Sequence, residues 1–127
     1  MEIKVLCLDD EASIRLSLER SLRRFCIVKT VSSHEEALAA LRDFEPDILL
    51  CDQFVGKGDL LSFIKKVEEA KPKLSFFIIT GDIDSGQLED VKKKCSFEGV
   101  LQKPINISNL KEVILSTADK IADWRIA

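Results

Sequence analysis

The stretch KVLCLDDEAS, Lys4 to Ser13, runs an apolar segment straight into three consecutive acids, Asp9, Asp10 and Glu11. A short apolar run bounded this way reads as a buried strand. The residues after it place Ile14, Leu18 and Leu22 on one helical face, so the acids sit where a strand hands over to an amphipathic helix. What decides the fold is that this unit recurs.

IKVLCL (3–8), CIVKTV (26–31), DILLC (47–51), LSFFIIT (74–80) and EGVLQ (98–102) are predicted strands. Each gap holds one amphipathic pattern, carried by Ala37, Leu38 and Leu41, then Leu60, Ile64 and Val67, then Leu88, Val91 and Cys95. A fifth helix is predicted from Ile107 onward, with Leu110, Val113, Ile114, Ile121 and Trp124 facing inward. Strict alternation implies parallel pairing, right-handed crossovers and helices on both faces, which is a doubly wound α/β domain. The unbroken apolar character of DILLC and FFIIT agrees, because strands covered on both faces lose in–out alternation. Ser33 and Glu36 form the sequence of a capping box at the second helix, with His34 as an exposed first-turn residue.

The 127 residues fit one domain, 1–127, long enough to bury about two thirds of the unfolded surface. Charged residues at 32% and hydrophobic ones at 46% describe a globular chain, not a disordered one. No apolar run is long enough to span a membrane and no secretory signal opens the chain, so a cytoplasmic setting is expected. With net charge −3 and no dense basic cluster beyond VKKKC, direct nucleic-acid binding is not expected. Cys7, Cys26, Cys51 and Cys95 lack CxxC spacing, and three of them, Cys7, Cys26 and Cys51, lie in apolar strand-like runs where cysteine is usually a small buried hydrophobe.

In open parallel sheets ligands bind beyond the carboxyl ends of the strands, near a topological switch point. Those ends carry Asp9-Asp10-Glu11, Cys51-Asp52, Thr80-Gly81-Asp82 and Gln102-Lys103-Pro104. Two carboxylates about 4 Å apart repel by roughly 4 kcal/mol at an effective dielectric of 20, so gathering Asp9, Asp10 and Asp52 calls for a cation. Hard oxygen ligands select Mg²⁺ or Mn²⁺, and Mg²⁺ prefers one or two carboxylates together with phosphate oxygens. A phosphoryl group is the anticipated ligand. Asp52, leaving a rigid buried strand, is the natural acceptor, and Thr80 and Lys103 would contact the added oxygens. Pro104 biases Lys103 toward extended backbone, and Lys-Pro is a natural site for a cis peptide.

LCLDDE at the first strand end, ILLCD at the third, IITG at the fourth and LQKP at the fifth together resemble the receiver domains of two-component response regulators. The resemblance covers nearly the whole chain and implies a flavodoxin-like (βα)5 fold with strand order 2-1-3-4-5. It further implies phosphorylation of Asp52 by a histidine kinase or phosphotransfer protein, and Mg²⁺ held by Asp9 or Asp10 with the backbone carbonyl of Phe54. The implied product is a signalling switch and not an enzyme, changing its surface around the fourth helix, fifth strand and fifth helix to act on a downstream protein or output domain. Trp124 and Ile126 extend the last apolar pattern, as a dimer contact or a continuation into an output domain would.

Two departures from the family stand out. Val100 occupies the place, three before the lysine, where receivers carry an aromatic switch residue. Gly56 stands where a proline is usual and Leu60 where a glycine is, and Gly56 with Gly58 would loosen that loop. These differences motivate an alternative, a degenerate receiver acting as a phosphorylation-independent interaction module. A haloacid-dehalogenase-like phosphatase would need a DxD arrangement where this chain has adjacent acids. The GKG stretch lacks the earlier glycine and the hydroxyl of a nucleotide loop. Three acids would repel a flavin phosphate.

Overall fold

In the computed structural model the chain is described over residues 2–56 and 59–126, the last three of these by backbone alone. The elements are β1 (Lys4–Leu8), α1 (Ala12–Leu22), β2 (Ile27–Val31), α2 (His34–Asp43), β3 (Ile48–Asp52), α3 (Leu60–Ala70), β4 (Ser75–Thr80), α4 (Gly86–Lys94), β5 (Gly99–Gln102) and α5 (Ile107–Ile126). All five strands are parallel, in the order β2-β1-β3-β4-β5. This is the flavodoxin-like doubly wound sheet that the alternation and the resemblance imply.

Every strand begins one residue later than its apolar run suggests. The residues just before the strands still bond across: Asp47 N–H donates to the Lys4 carbonyl at 2.8 Å and Glu98 N–H to the Phe76 carbonyl at 2.7 Å. They start the pairing without sitting in the ladder. β3 instead runs one residue further than the apolar run, so that Asp52 is itself a strand residue.

Two apolar layers sandwich the sheet. One packs Leu6, Leu49, Cys51 and Ile78 under α2, α3 and α4; the other packs Val5, Cys7, Leu50 and Ile79 under α1 and α5. β3 and β4 are buried at every position, as their unbroken apolar runs require. β2 lies at the edge and is half exposed, with Ile27 38% accessible. Lys29 and Thr30 interrupt its apolar run, as suits an edge strand, whereas the interiors of β3 and β4 are unbroken.

Ser33 caps α2 by accepting the Glu36 N–H at 3.1 Å. The Glu36 carboxylate takes the hydroxyls of Ser32 and Ser33, so only half of the reciprocal box forms. His34 is not the exposed residue expected: it is partly buried and stacks on Phe63 of α3, centroids 4.2 Å apart and planes 8° from parallel. Burial lowers its pKa, while Asp59 works in the opposite direction. Cys7 and Cys51 are fully buried thiols, and burial pushes both above their ordinary range, which keeps them protonated and unreactive.

α4 is held by the thinnest apolar face: Leu88 and Val91 are its only core residues, whereas α1, also with two buried residues, Leu18 and Leu22, adds the partly buried Ile14. Its last turn carries Lys92, Lys93 and Lys94, which complement the helix dipole. No helix among the described residues is long and apolar enough to cross a membrane.

This packing gives a direct test. Ile64, with no exposed surface, should cost about 2–5 kcal/mol when replaced by alanine, whereas Leu16, 48% exposed, should cost less than about 0.5 kcal/mol. Urea unfolding of Ile64→Ala and Leu16→Ala measures both; equal losses would contradict the layered core.

Candidate functional site

The sheet register builds the site. Leu8 pairs with Cys51, so one step further Asp9 stands beside Asp52 at the carboxyl ends of β1 and β3. Between these strands the order of connection reverses, which opens the crevice where such sheets bind ligands. Thr80 closes β4 opposite Gln102 of β5, and the Lys103 N–H donates to the Thr80 carbonyl at 2.8 Å. The Lys103-Pro104 peptide is cis.

Asp9 and Asp52 are buried, at 2% and 7% accessibility, and Asp10 is exposed at the rim. One carboxylate oxygen from each of the three lies within 4.8 Å of the others. Neither Asp9 nor Asp10 serves as the cap of α1, a role that falls to Glu11, whose own side chain makes no capping bond. Asp9 Oδ1 instead accepts the Glu11 N–H at 2.9 Å. Helix capping therefore does not account for the paired aspartates.

Lys103 Nζ lies 2.9 Å from Asp52 Oδ1 and 3.8 Å from Asp9 Oδ2. Burial raises the Asp52 carboxyl above its ordinary value; Lys103 works against this through its hydrogen bond and charge, and Asp9 and Asp10 reinforce it. For Lys103 burial favours a lower value, but the hydrogen bond to Asp52 and the charges of Asp52, Asp9 and Glu11 outweigh it and raise the ammonium. The two ends of one ion pair thus move in the same direction for different reasons: burial, helped by Asp9 and Asp10, raises Asp52, while the surrounding carboxylates raise Lys103. Among the described residues these three carboxyl groups face one ammonium, Lys103. A site with these oxygen donors and that imbalance is suited to a hard dication.

The loop after β3 explains one departure from the family pattern. Gly56 has φ +57° and donates its N–H to Asp10 Oδ2 at 3.2 Å. A proline there could supply neither the positive φ nor the N–H. Leu60, in place of the usual glycine, is buried in the α2–α3–α4 layer. Phe54 lies two residues beyond Asp52, with its ring 61% exposed. Gly58 lies outside the described residues, and so do the side chains of Trp124 and Ile126.

Thr80 is 1% exposed and donates its hydroxyl to Oε1 of Gln53. The sequence reading missed Gln53. Its signal was available: a second polar residue following Asp52 at the end of β3, level with a strand-end threonine on β4. The Gln53 N–H also continues the ladder to the Ile79 carbonyl at 2.8 Å, which fixes its backbone.

An open parallel sheet in the order β2-β1-β3-β4-β5, with an acidic cleft and an ammonium at its switch point, defines a flavodoxin-like α/β domain. Residues 5–115 match the response regulator receiver domain, and the chain belongs to that family of two-component signalling proteins. It is 29% identical over 116 residues to a probable C4-dicarboxylate response regulator DctR of Halalkalibacterium halodurans, covering 88% of this chain and 50% of the relative. It is 32% identical over 111 residues to the DNA-binding transcriptional regulator NtrC of Proteus hauseri, covering 87% of this chain and 23% of that one. The chain therefore spans about half, or less, of the length of these relatives. Among solved structures, the signal receiver domain of a Luxo repressor protein from Vibrio parahaemolyticus superposes with TM-score 0.84 at 18% identity, covering 100% of this chain and 99% of that one. The chemotaxis response regulator CheY4 of Vibrio cholerae gives 0.80 at 24%, covering 92% and 99%.

The raised Asp52 carboxyl fixes the sign of a pH effect. As pH rises past 3.8, the ordinary value, Asp52 ionises first in the unfolded chain and only later in the fold. In chelator, stability relative to Asp52→Asn should therefore fall through that window and level off above the folded value. Urea melts of both proteins over a pH series measure it. A difference that stays flat, or rises with pH, would contradict the dominance of burial and repulsion over the Lys103 pair.

Proposed function

We propose that this chain is a phosphorylation-controlled switch whose acceptor is Asp52. The observation that carries the reading is the gathering of Asp9, Asp10 and Asp52 within 4.8 Å, with Lys103 2.9 Å from the acceptor. The donor set fits a hard dication: Asp9, Asp10, Asp52 and the main-chain carbonyl of Phe54 would hold Mg²⁺ or Mn²⁺. Such an ion would neutralise charge on the incoming phosphoryl oxygens.

The chain's own residues supply position. β3 holds the Asp52 carboxylate at the cleft as nucleophile; an oxygen of it attacks phosphorus, the bond from phosphorus to the donor breaks, and the leaving group keeps the electron pair. Lys103 already sits on the acceptor side and can follow the developing charge to a phosphoryl oxygen. Thr80 reaches the opposite side once its hydroxyl turns from Gln53. Water later hydrolyses the acyl phosphate and resets the switch.

The donor fitting this chemistry is a phosphohistidine on a kinase or phosphotransfer protein. Residues 1–127 form a single receiver domain in this reading, working in the cytoplasm. Since the relatives are longer, the natural output is a further domain or a downstream protein, with α5 as a candidate dimer face and the α4–β5–α5 surface as the part that changes.

Incubation with a small acyl phosphate tests the proposal. Intact mass should show one added phosphoryl group per chain, dependent on Mg²⁺ and lost in Asp52→Asn. Failure of the wild-type chain to label with Mg²⁺ present would contradict it and favour an interaction module that works without phosphorylation, the reading that Val100 motivates.

A further inference from the structure

We propose that Gln53 is the positioning residue that couples Thr80 to the start of α4, a reading that rests on the phosphoryl switch proposed above. Gln53 is 2% exposed, and its side chain spans the gap between β4 and α4. Oε1 accepts the Thr80 hydroxyl. Nε2 donates to Ser85 Oγ and to Gln87 Oε1, each at 2.9 Å, so both amide protons are committed to the first turn of α4. Ser85 is also the cap of that helix, accepting the Leu88 N–H at 3.2 Å. One side chain therefore links the residue that reads the phosphoryl group to the capping residue of the helix held by the thinnest apolar face.

The orientation of the amide follows from its neighbours. Thr80 Oγ1 accepts the Asp82 N–H at 3.0 Å and gives its proton to Gln53 Oε1, the orientation in which both Nε2 protons also find acceptors at α4. The main-chain oxygen of Asp82, 3.1 Å away, is the competing acceptor for the same proton. When that proton turns to a phosphoryl oxygen, Gln53 Oε1 loses its donor in a buried place, where a bare carbonyl oxygen is unfavourable. The side chain then rotates toward another donor and cannot hold both Ser85 and Gln87. The first turn of α4 is released, with Leu88 and Val91 as its remaining anchors.

This device answers the question Val100 raises. Val100 lies on β5 paired with Ile78 and carries no ring that could follow Thr80 inward. Coupling here passes instead through an amide on the acceptor's own strand. By linkage it also runs backward: a partner that grips the first turn of α4 alters how readily Thr80 leaves Gln53, and with it the lifetime of the phosphorylated form.

Amide hydrogen exchange over residues 85–91, with and without Mg²⁺–beryllofluoride as phosphoryl mimic, tests the relay. Bound fluoride, read by ¹⁹F NMR, reports site occupancy independently. In the wild-type chain the mimic should speed exchange of the first turn of α4 by on the order of tenfold. In Gln53→Met, of similar volume but without hydrogen bonds, the turn should exchange fast with or without the mimic. The single variant Gln87→Ala, which keeps the Ser85 cap, the core and the acceptor site but removes one of the two bonds from Gln53, should exchange faster without the mimic and gain less from it, and decides the matter if Gln53→Met does not fold. A mimic that binds but leaves wild-type α4 unchanged, or that speeds exchange equally in the variants, overturns the relay while leaving the switch standing. If the wild-type chain binds no mimic, the switch reading fails and the relay with it.

Discussion

The structure depends on a repulsion that it does not relieve by itself. Two parallel strands in fixed register bring Asp9 beside Asp52, Asp10 joins them from the rim, and among the described residues one lysine, Lys103, faces the cluster. Strand ends can sustain this because β1 and β3 lie at the centre of the sheet and are buried on both faces along nearly their whole length. The core layers hold the carboxylates where their mutual charge would otherwise drive them apart. Charge excess held at a rigid edge suits the cleft to a hard dication.

The surroundings of that edge are arranged in the same sense. Asp10 is tethered by the Gly56 N–H, Asp9 by the Glu11 N–H, and Asp52 by Lys103, so each carboxylate keeps a partner that fixes its direction without cancelling the excess. Thr80 is the exception, since its hydroxyl is engaged by Gln53. The acceptor side of the site is thus prepared, while the residue expected to read the phosphoryl group is held in reserve. A difference of this kind between prepared and withheld groups is what a two-state element requires.

Much of this was legible in the residues. The alternation of apolar runs and helical faces carried the fold, because parallel strands covered on both faces must be continuously apolar. DDE, CD, TG and KP at four successive strand ends carried the site, because the sheet brings those ends to one edge whatever the helices do. Other features were not legible, for physical reasons. The exposure of Ile27, an apolar residue of β2, depends on the strand's place at the sheet edge, which that residue does not encode. The stacking of His34 on Phe63 joins helices 29 positions apart in the chain through a contact no periodicity marks. Gly56 read as a loosened loop; in the fold it turns the backbone to a positive φ and offers Asp10 an N–H. The role of Gln53 stayed hidden because an amide announces its purpose only through its partners.

Calorimetric titration of Mg²⁺ into the wild-type chain and into Asp9→Asn and Asp10→Asn tests the central claim most directly. The account predicts a single site in the wild-type chain, weakened by on the order of tenfold or more when either aspartate loses its charge. Binding of equal strength in all three proteins, or none in the wild-type chain, would show that these carboxylates were not gathered for a cation.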